Sequence, residues 1–313
     1  MSSSTSPGVE PLVSVIIVTW NSARWLPACL DSVARATEGL PAQVWLVDNG
    51  SADDSVGIAR RHFPGINIIA NRDNLGFARA NNQAIERSGG RYLLLLNPDA
   101  EINRGALDGM IRILDAQPDV GLIGCRLVRP DGQPQECYGL SYPGVRNRSP
   151  AVRPGPGHAE LVDAAWLGGA CMMARRDAIE AVGGLDPDYL MYYEDVDWGR
   201  RMRARGWRVV YWDGGTVLHH GAGDTAQVPP GETARRYITS EMLFHAKHSG
   251  AVLMAAVWGA RLLRALRGVA YYGLLRAFGW SDREGRCERY RAWLSVLLRR
   301  SWRGPRSAQE KRA

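Results

Sequence analysis

The densest run of carboxylates in this 313-residue chain is Glu194-Asp195-Val196-Asp197, followed by Trp198-Gly199-Arg200-Arg201. Such side chains can take a proton from a hydroxyl, or simply favour the positive end of a helix dipole. Helical spacing separates them. Glu194 and Asp197, three positions apart, share a face, and Asp197 can reach Arg201 four positions on. Asp195 points elsewhere, on the side of Gly199, where the missing side chain leaves room for a bound molecule. Two carboxylates are supported and one is isolated. A lone carboxylate facing a cleft can act as a general base, and we expect Asp195 in that role.

Three other groupings could carry chemistry. Asn97-Pro98-Asp99 follows four consecutive leucines. A carboxylate just past a buried strand can bind a divalent cation and, through it, a diphosphate; the same turn can also merely end a strand. Asp48-Asn49-Gly50-Ser51 is a turn in isolation, but its carboxylate could accept hydrogen bonds from a base N–H or a ribose hydroxyl. His219-His220-Gly221-Ala222-Gly223-Asp224 sets imidazoles beside glycines. Neighbours on a strand face opposite sides, so at most one of the two histidines can enter a site, and a buried histidine bonded to a carbonyl is the structural alternative.

Some chemistries are excluded. The only lysines, Lys247 and Lys311, have neither a P-loop nor a Schiff-base setting. Cys29, Cys125, Cys137, Cys171 and Cys287 are odd in number and never in CxxC spacing, against a disulfide framework or a zinc cluster. Glu194 and Asp195 are adjacent and point apart, a poor pair for glycoside hydrolysis.

The elements that must position these groups follow from hydrophobic pattern. Residues 13–20 (VSVIIVTW) are a β-branched run too short to span a membrane, and read as a buried strand. Strands at 43–48, 66–70, 92–96 and 120–125 alternate with helices at 23–36, 53–61, 77–87 and 104–116. That alternation predicts an α/β fold with a mostly parallel sheet flanked by helices, binding ligands beyond the carboxyl ends of its strands, where both acidic turns lie. Residues 129–157, rich in Pro and Gly, read as a long loop or lid. A strand at 166–174, helices at 175–182 and 194–205, and strands at 207–211 and 215–219 follow, then helical segments at 232–248, 252–278 and 287–300.

Charge divides the chain. Residues 251–313 hold 14 Lys and Arg against 4 Asp and Glu, leaving 25 against 28 elsewhere. Basic charge interleaved with Trp258, Trp280, Trp293 and Trp302 suits an anionic membrane surface, and we expect no nucleic-acid partner. On a helical wheel Arg261, Arg264, Arg267 and Arg276 oppose Leu263, Ala270 and Leu274, which predicts an in-plane amphipathic helix rather than a membrane span. Pro7 and Glu10 precede the first apolar run, so no signal peptide is expected at the start, and the expected location is cytoplasmic, peripheral to the inner face of the plasma membrane.

Taken in order, the motifs VSVIIVTWN, LVDNGS, NLGFARANN, LLLLNPDAEI, GGACMMARR, GGLDPDYLMYYEDVDWGRR and VLHHGAG resemble glycosyltransferase family 2, the nucleotide-diphospho-sugar transferases of the GT-A (Rossmann-like) fold. The likeness is greatest to bacterial rhamnosyltransferase-like members that extend O-antigen or cell-wall polysaccharides. It implies a nucleotide diphosphate sugar donor (dTDP- or UDP-linked, with dTDP-rhamnose expected), a lipid-linked glycan acceptor, inversion, and Mg²⁺ or Mn²⁺ as cofactor. By the same resemblance, Thr19, Asn21, Asp48, Asn49, Arg72, Asn74, Gly76 and Asn97 border the donor. Asp99 and His219 meet the metal, Asp195 is the base, and Gly169, Glu194, Asp197 and Trp198 support the acceptor side. Asn97 stands where a full DxD has its first Asp, and Asp224 where Ser is frequent. The expected domains are a GT-A domain at 11–230 (nucleotide-sugar half 11–126, acceptor half 163–225) and C-terminal amphipathic helices at 231–302, with disordered ends at 1–10 and 303–313. A sugar nucleotidyltransferase is an alternative, but Asn21-Ser22-Ala23-Arg24 lacks its Gly-rich basic loop. Intact Asp99 and Asp195 argue against the other alternative, a non-catalytic glycan-binding or scaffold member.

Overall fold

A computed structural model describes residues 10–142, 161–221, 228–279 and 285–299. The expectations for 1–9, 143–157 and 303–313, and for Asp224, lie outside these residues. The chain forms two compact units, one of Met1–Asp186 with Asp195–Asp224, the other of Pro187–Glu194 with Thr225–Ala313.

The first unit is built on one sheet. Strand β1 (Val13–Thr19) is buried along nearly all its length, as its apolar run requires of a strand covered on both faces. It pairs in parallel with β2 (Ala42–Asp48) on one side and β4 (Tyr92–Leu96) on the other, while β3 (Asn67–Ala70) adds to β2. Helices α1 (Leu26–Thr37), α2 (Ser55–His62) and α3 (Phe77–Arg87) make the crossovers, and α4 (Arg104–Ala116) leads into β6 (Val120–Val128). Helix α1 starts at Leu26 rather than 23, with Pro27 in its first turn, where a missing N–H costs nothing.

The second half departs from the expected strands in three places. A single strand at 166–174 was expected, but Gly168 and Gly169 break it. Trp166–Leu167 (β10) pairs with β8 (Tyr138–Gly139) in a separate ribbon, and Cys171–Arg175 (β11) runs antiparallel between β4 and β6. The strands expected at 207–211 and 215–219 are one, β12 (Arg208–His219), parallel to β6 with an irregularity between Trp212 and Thr216 that absorbs Gly214 and Gly215. Within the expected loop at 129–157, Pro134–Gln135 (β7) and Tyr138–Gly139 form short strands. Two more short strands, Ala100–Ile102 (β5) and Leu161–Asp163 (β9), pair with β12. The sheet order is β3-β2-β1-β4-β11-β6-β12-β5. Helices α5 (Arg176–Val182) and α6 (Glu194–Ala204) complete the fold around the sheet.

The second unit packs α7 (Pro230–His248), α8 (Ala251–Ala277) and α9 (Arg286–Arg299) around Ile238, Met242, Ala265, Val296 and Leu297. Its polar centre is Glu241, fully buried, which accepts from Arg261 Nε at 2.8 Å and from the Tyr193 hydroxyl at 3.1 Å. Ser240 donates to the Met191 carbonyl at 2.8 Å, and Lys247 pairs with Asp188 at 2.7 Å. The segment Pro187–Glu194 is thus tied to α7. The wheel expectation for α8 needs correcting in one respect. Arg261 faces inward to Glu241 instead of outward, because a buried carboxylate must have a partner, while Leu263, Leu266, Tyr271 and Leu274 are exposed. Among the described residues no helix is long and apolar enough to cross a membrane.

Candidate active site

Parallel strands bring their carboxyl ends to one edge of the sheet. Thr19 ends β1 and Asp48 ends β2, and they are register partners. Both are buried, and each keeps one side-chain oxygen, Thr19 Oγ1 and Asp48 Oδ1, with no hydrogen-bond partner among the described residues. The other Asp48 oxygen accepts from Ser51 N at 3.2 Å. Two adjacent unsatisfied buried oxygens cost free energy unless a bound molecule completes them, so they mark a place for a donor-bearing ligand.

The loops around them are stitched together. Asn21, at φ 49°, accepts from Ala52 N at 2.7 Å, and its own N–H donates to Ser51 Oγ at 2.9 Å. Asn49 is buried and its amide is spent within the protein, accepting from Asn71 at 3.0 Å and donating to Asn74 and the Gly76 carbonyl, both at 3.3 Å. Asn49 therefore holds the 71–76 loop instead of lying open to a ligand. Gly76 takes φ 85° before α3, a conformation a side chain would strain. Arg72 is exposed on that loop, and its guanidinium has no partner among the described residues.

Further along the same edge, the turn after β4 places Asp99, 3% exposed, with Oδ1 at 3.3 Å from His219 Nε2 at the end of β12. Asn97 Nδ2 lies 3.4 Å from the same nitrogen. His219 Nδ1 meets Gln135 Oε1 at 2.7 Å; since that oxygen only accepts, Nδ1 carries the proton. With Nδ1 spent on Gln135, Nε2 is the ring nitrogen left on the Asp99 side to meet a metal. Among the described residues no third His, Cys, Asp or Glu completes a protein-only metal cage. An oxygen-and-nitrogen pair of this kind suits Mg²⁺ or Mn²⁺, which take their remaining ligands from water and substrate phosphates. His220 turns the other way, to Glu101 at 3.0 Å and against Trp25. Cys29, on the inner side, donates to the Asn97 carbonyl; burial and the charges of Asp99 and Glu101 push its thiol far up, so it is no nucleophile.

Asp195 reaches this edge through β11. Asn97 N donates to the Ala170 carbonyl at 2.9 Å, and the next residue back, Gly169, donates its N–H to Asp195 Oδ2 at 3.0 Å. Val196 N donates to Oδ1 at 2.8 Å. Desolvation raises the Asp195 carboxyl above the ordinary value of 3.8, with the backbone N–H groups of Val196, Gly169 and Asp195 itself opposing. Its other neighbours are structural. Asp197 pairs with Arg201 at 2.6 Å, as its spacing predicts. Glu194 is buried, and Trp198 is fully buried, donating to the Gly183 carbonyl at 3.0 Å, so it cannot touch an acceptor. Gly199 does not open a space beside Asp195; a Cβ there would meet the Ala165 carbonyl oxygen at 2.9 Å, and the glycine serves close packing of α6 on the 165–166 backbone. Asp195 faces Gly169 instead. Gln135, in the short strand β7, carries no signal in the sequence, and Ser51 reads there only as part of a turn; their partners lie 84 and 30 positions away.

An open α/β sheet of this order, with acidic turns along one edge, has the GT-A form. The mannosyltransferase PcManGT from Pyrobaculum calidifontis, in complex with GDP-Man and Mn²⁺, superposes with a TM-score of 0.56 over 94% of this chain and 86% of its own, at 18% identity. GalNAc-T7 with UDP, GalNAc and Mn²⁺ gives 0.56 over 76% of this chain and 50% of its own, at 14% identity. Residues 14–183 match Glycosyl transferase family 2, and the chain belongs to that family of glycosyltransferases. The N-acetylglucosaminyl-diphospho-decaprenol L-rhamnosyltransferase of Mycobacterium tuberculosis is 30% identical over 290 residues, 82% of this chain and 90% of that protein.

Proposed function

We propose that the chain is an inverting transferase that moves a sugar, with dTDP-rhamnose as the favoured donor, onto a lipid-linked glycan acceptor in cell-surface polysaccharide synthesis. The sugar and the acceptor class are carried over from the mycobacterial relative named above, and the dTDP carrier from the family resemblance of the sequence motifs. The observation that supports a catalytic role is the hydrogen-bonded path from Asp195 through Gly169 and Ala170 to Asn97 and His219, which sets a desolvated carboxylate on the same sheet edge as the Asp99–His219 pair.

Asp48 and Thr19 receive the nucleotide base, completing their unsatisfied oxygens, and exposed Arg72 meets the diphosphate. Asp99 and His219 would hold Mg²⁺ or Mn²⁺, which when bound offsets charge developing on the leaving diphosphate. Asp195 takes the proton of the acceptor hydroxyl while that oxygen bonds to the anomeric carbon and the bond to the diphosphate oxygen breaks. The attack comes from the opposite side, so the configuration inverts and no covalent enzyme intermediate is needed. Raising the Asp195 carboxyl strengthens it as a base.

The helical unit lies on the inner face of the plasma membrane, the 14 Lys and Arg against 4 Asp and Glu of residues 251–313 attracting anionic lipid while the exposed Leu263, Leu266 and Leu274 enter the interface. The test is a thermal-shift screen of nucleotide diphosphates with Mn²⁺, followed by mass spectrometry of products from candidate sugar donors, with wild type beside Asp195→Asn. Transfer from dTDP-rhamnose in wild type and its loss in the variant are expected. Negligible turnover in both, with every donor, would refute the enzymatic assignment; transfer from a UDP-hexose alone would replace the donor.

A further inference from the structure

Within the helical unit, the start of α7, α9 and the Pro187–Glu194 segment surround a cavity of about 470 Å³. That volume is in the range of roughly 300–1,000 Å³ typical of small-ligand sites. Its walls include the rings of Tyr192, Tyr237 and Trp293, the ring of Pro230, the Thr233 side chain and one cation, Arg289. Three features mark it as built. Tyr192 and Tyr193 sit at φ 70° and 69°, a region that costs bulky residues strain and persists only where surroundings over-determine it. Tyr237 is held edge-on against Tyr193, with the hydroxyls 3.3 Å apart, and Tyr193 is in turn bonded to buried Glu241. Trp293 is braced by the guanidinium groups of Arg261 and Arg264, each 5.7 Å from its ring centre. Arg289 differs from Arg261, because its guanidinium has no partner among the described residues.

Rigid aromatic walls with a single cation, unspent among the described residues, fit a ligand that is apolar along most of its length and anionic at one end. We propose that this cavity binds the phosphate-proximal part of an isoprenoid-phosphate acceptor, with the hydrocarbon against Tyr192, Tyr237 and Trp293 and the phosphate on Arg289. The inference rests on the reading above that the acceptor is lipid-linked.

Isothermal titration of the full chain with farnesyl phosphate, farnesol and inorganic phosphate tests this, using wild type, Thr233→Trp, which fills the cavity from its partly exposed wall, and Arg289→Ala. Wild type should bind farnesyl phosphate more tightly than farnesol or phosphate. Loss of the charge-assisted contact should weaken farnesyl phosphate by about tenfold in Arg289→Ala, and Thr233→Trp should abolish binding. The nucleotide-induced thermal shift should be unchanged in both, which separates occlusion from misfolding. Equal binding by all three proteins, or phosphate binding as tightly as farnesyl phosphate, overturns the proposal. Sugar transfer by wild type with an unaltered lipid-acceptor KM in both variants would also remove the site while leaving the transferase reading intact. Farnesyl phosphate binding that the variants lose, in a protein with no transferase activity, would keep the site and remove that reading.

Discussion

Asp195→Asn separates catalysis from folding more cleanly than other changes in the site. The carboxylate accepts one backbone N–H on each oxygen, from Gly169 at 3.0 Å and Val196 at 2.8 Å. Asparagine keeps the shape but is neutral and offers one oxygen, so one bond is lost and the other is no longer charge-assisted, a cost of about 1.5–3 kcal/mol. Against that, the substitution removes a charge that burial disfavours. The sign follows from linkage: desolvation raises the folded-state carboxyl above 3.8, so between that value and the raised one the folded protein binds more protons than the unfolded chain. Stability from this group is full at low pH and falls as pH rises through the raised value, making ionised Asp195 a net cost at neutral pH. The two effects oppose, and the melting temperature should move by no more than a few degrees, about 4 °C or less. Activity should not be spared. Removing a positioned base costs about 10²–10⁴-fold in kcat, equivalent to about 3–5.5 kcal/mol of barrier. Wild-type kcat should decline on the acid side above the usual carboxylate range, and that limb should be absent from the residual rate of the variant. The assay is product formation by mass spectrometry across pH, with differential scanning calorimetry on the same samples. Full kcat in Asp195→Asn, or an unshifted acid limb in wild type, would refute the assignment of the base.

Three further outcomes follow from the same geometry. Gln135→Leu should lower Mn²⁺ affinity by about 10- to 100-fold, measured by titrating the metal against nucleotide binding, because it frees the His219 tautomer without removing a ligand. Gly199→Ala should lower stability by about 1–3 kcal/mol in urea melts, since its Cβ would sit 2.9 Å from the Ala165 carbonyl oxygen. Pairing Leu263→Glu with Leu266→Glu should release the protein from anionic vesicles in flotation assays while donor binding persists; unchanged flotation would exclude the α8 face from the membrane contact.

Much of this protein is local chemistry and could be read from the chain. Apolar runs such as Val13–Thr19 and Tyr92–Leu96 can only be buried strands, and the alternation with helices puts the turns at Asp48 and Asp99 on one edge because parallel strands share a direction. The Asp197–Arg201 pair was equally legible, being fixed by helical spacing alone. What pairs with what was not. That Cys171–Arg175 inserts antiparallel between β4 and β6, carrying Gly169 to Asp195, depends on competition among distant backbone edges, of which no local pattern keeps a record. Gln135 on His219, Gly199 against Ala165, and Arg261 turned inward to Glu241 are likewise partnerships across 84, 34 and 20 positions. Residue type sets which element a segment forms and which groups could react. Only packing of the folded chain decides which of those groups are desolvated, which are spent on one another, and which are left to meet a ligand.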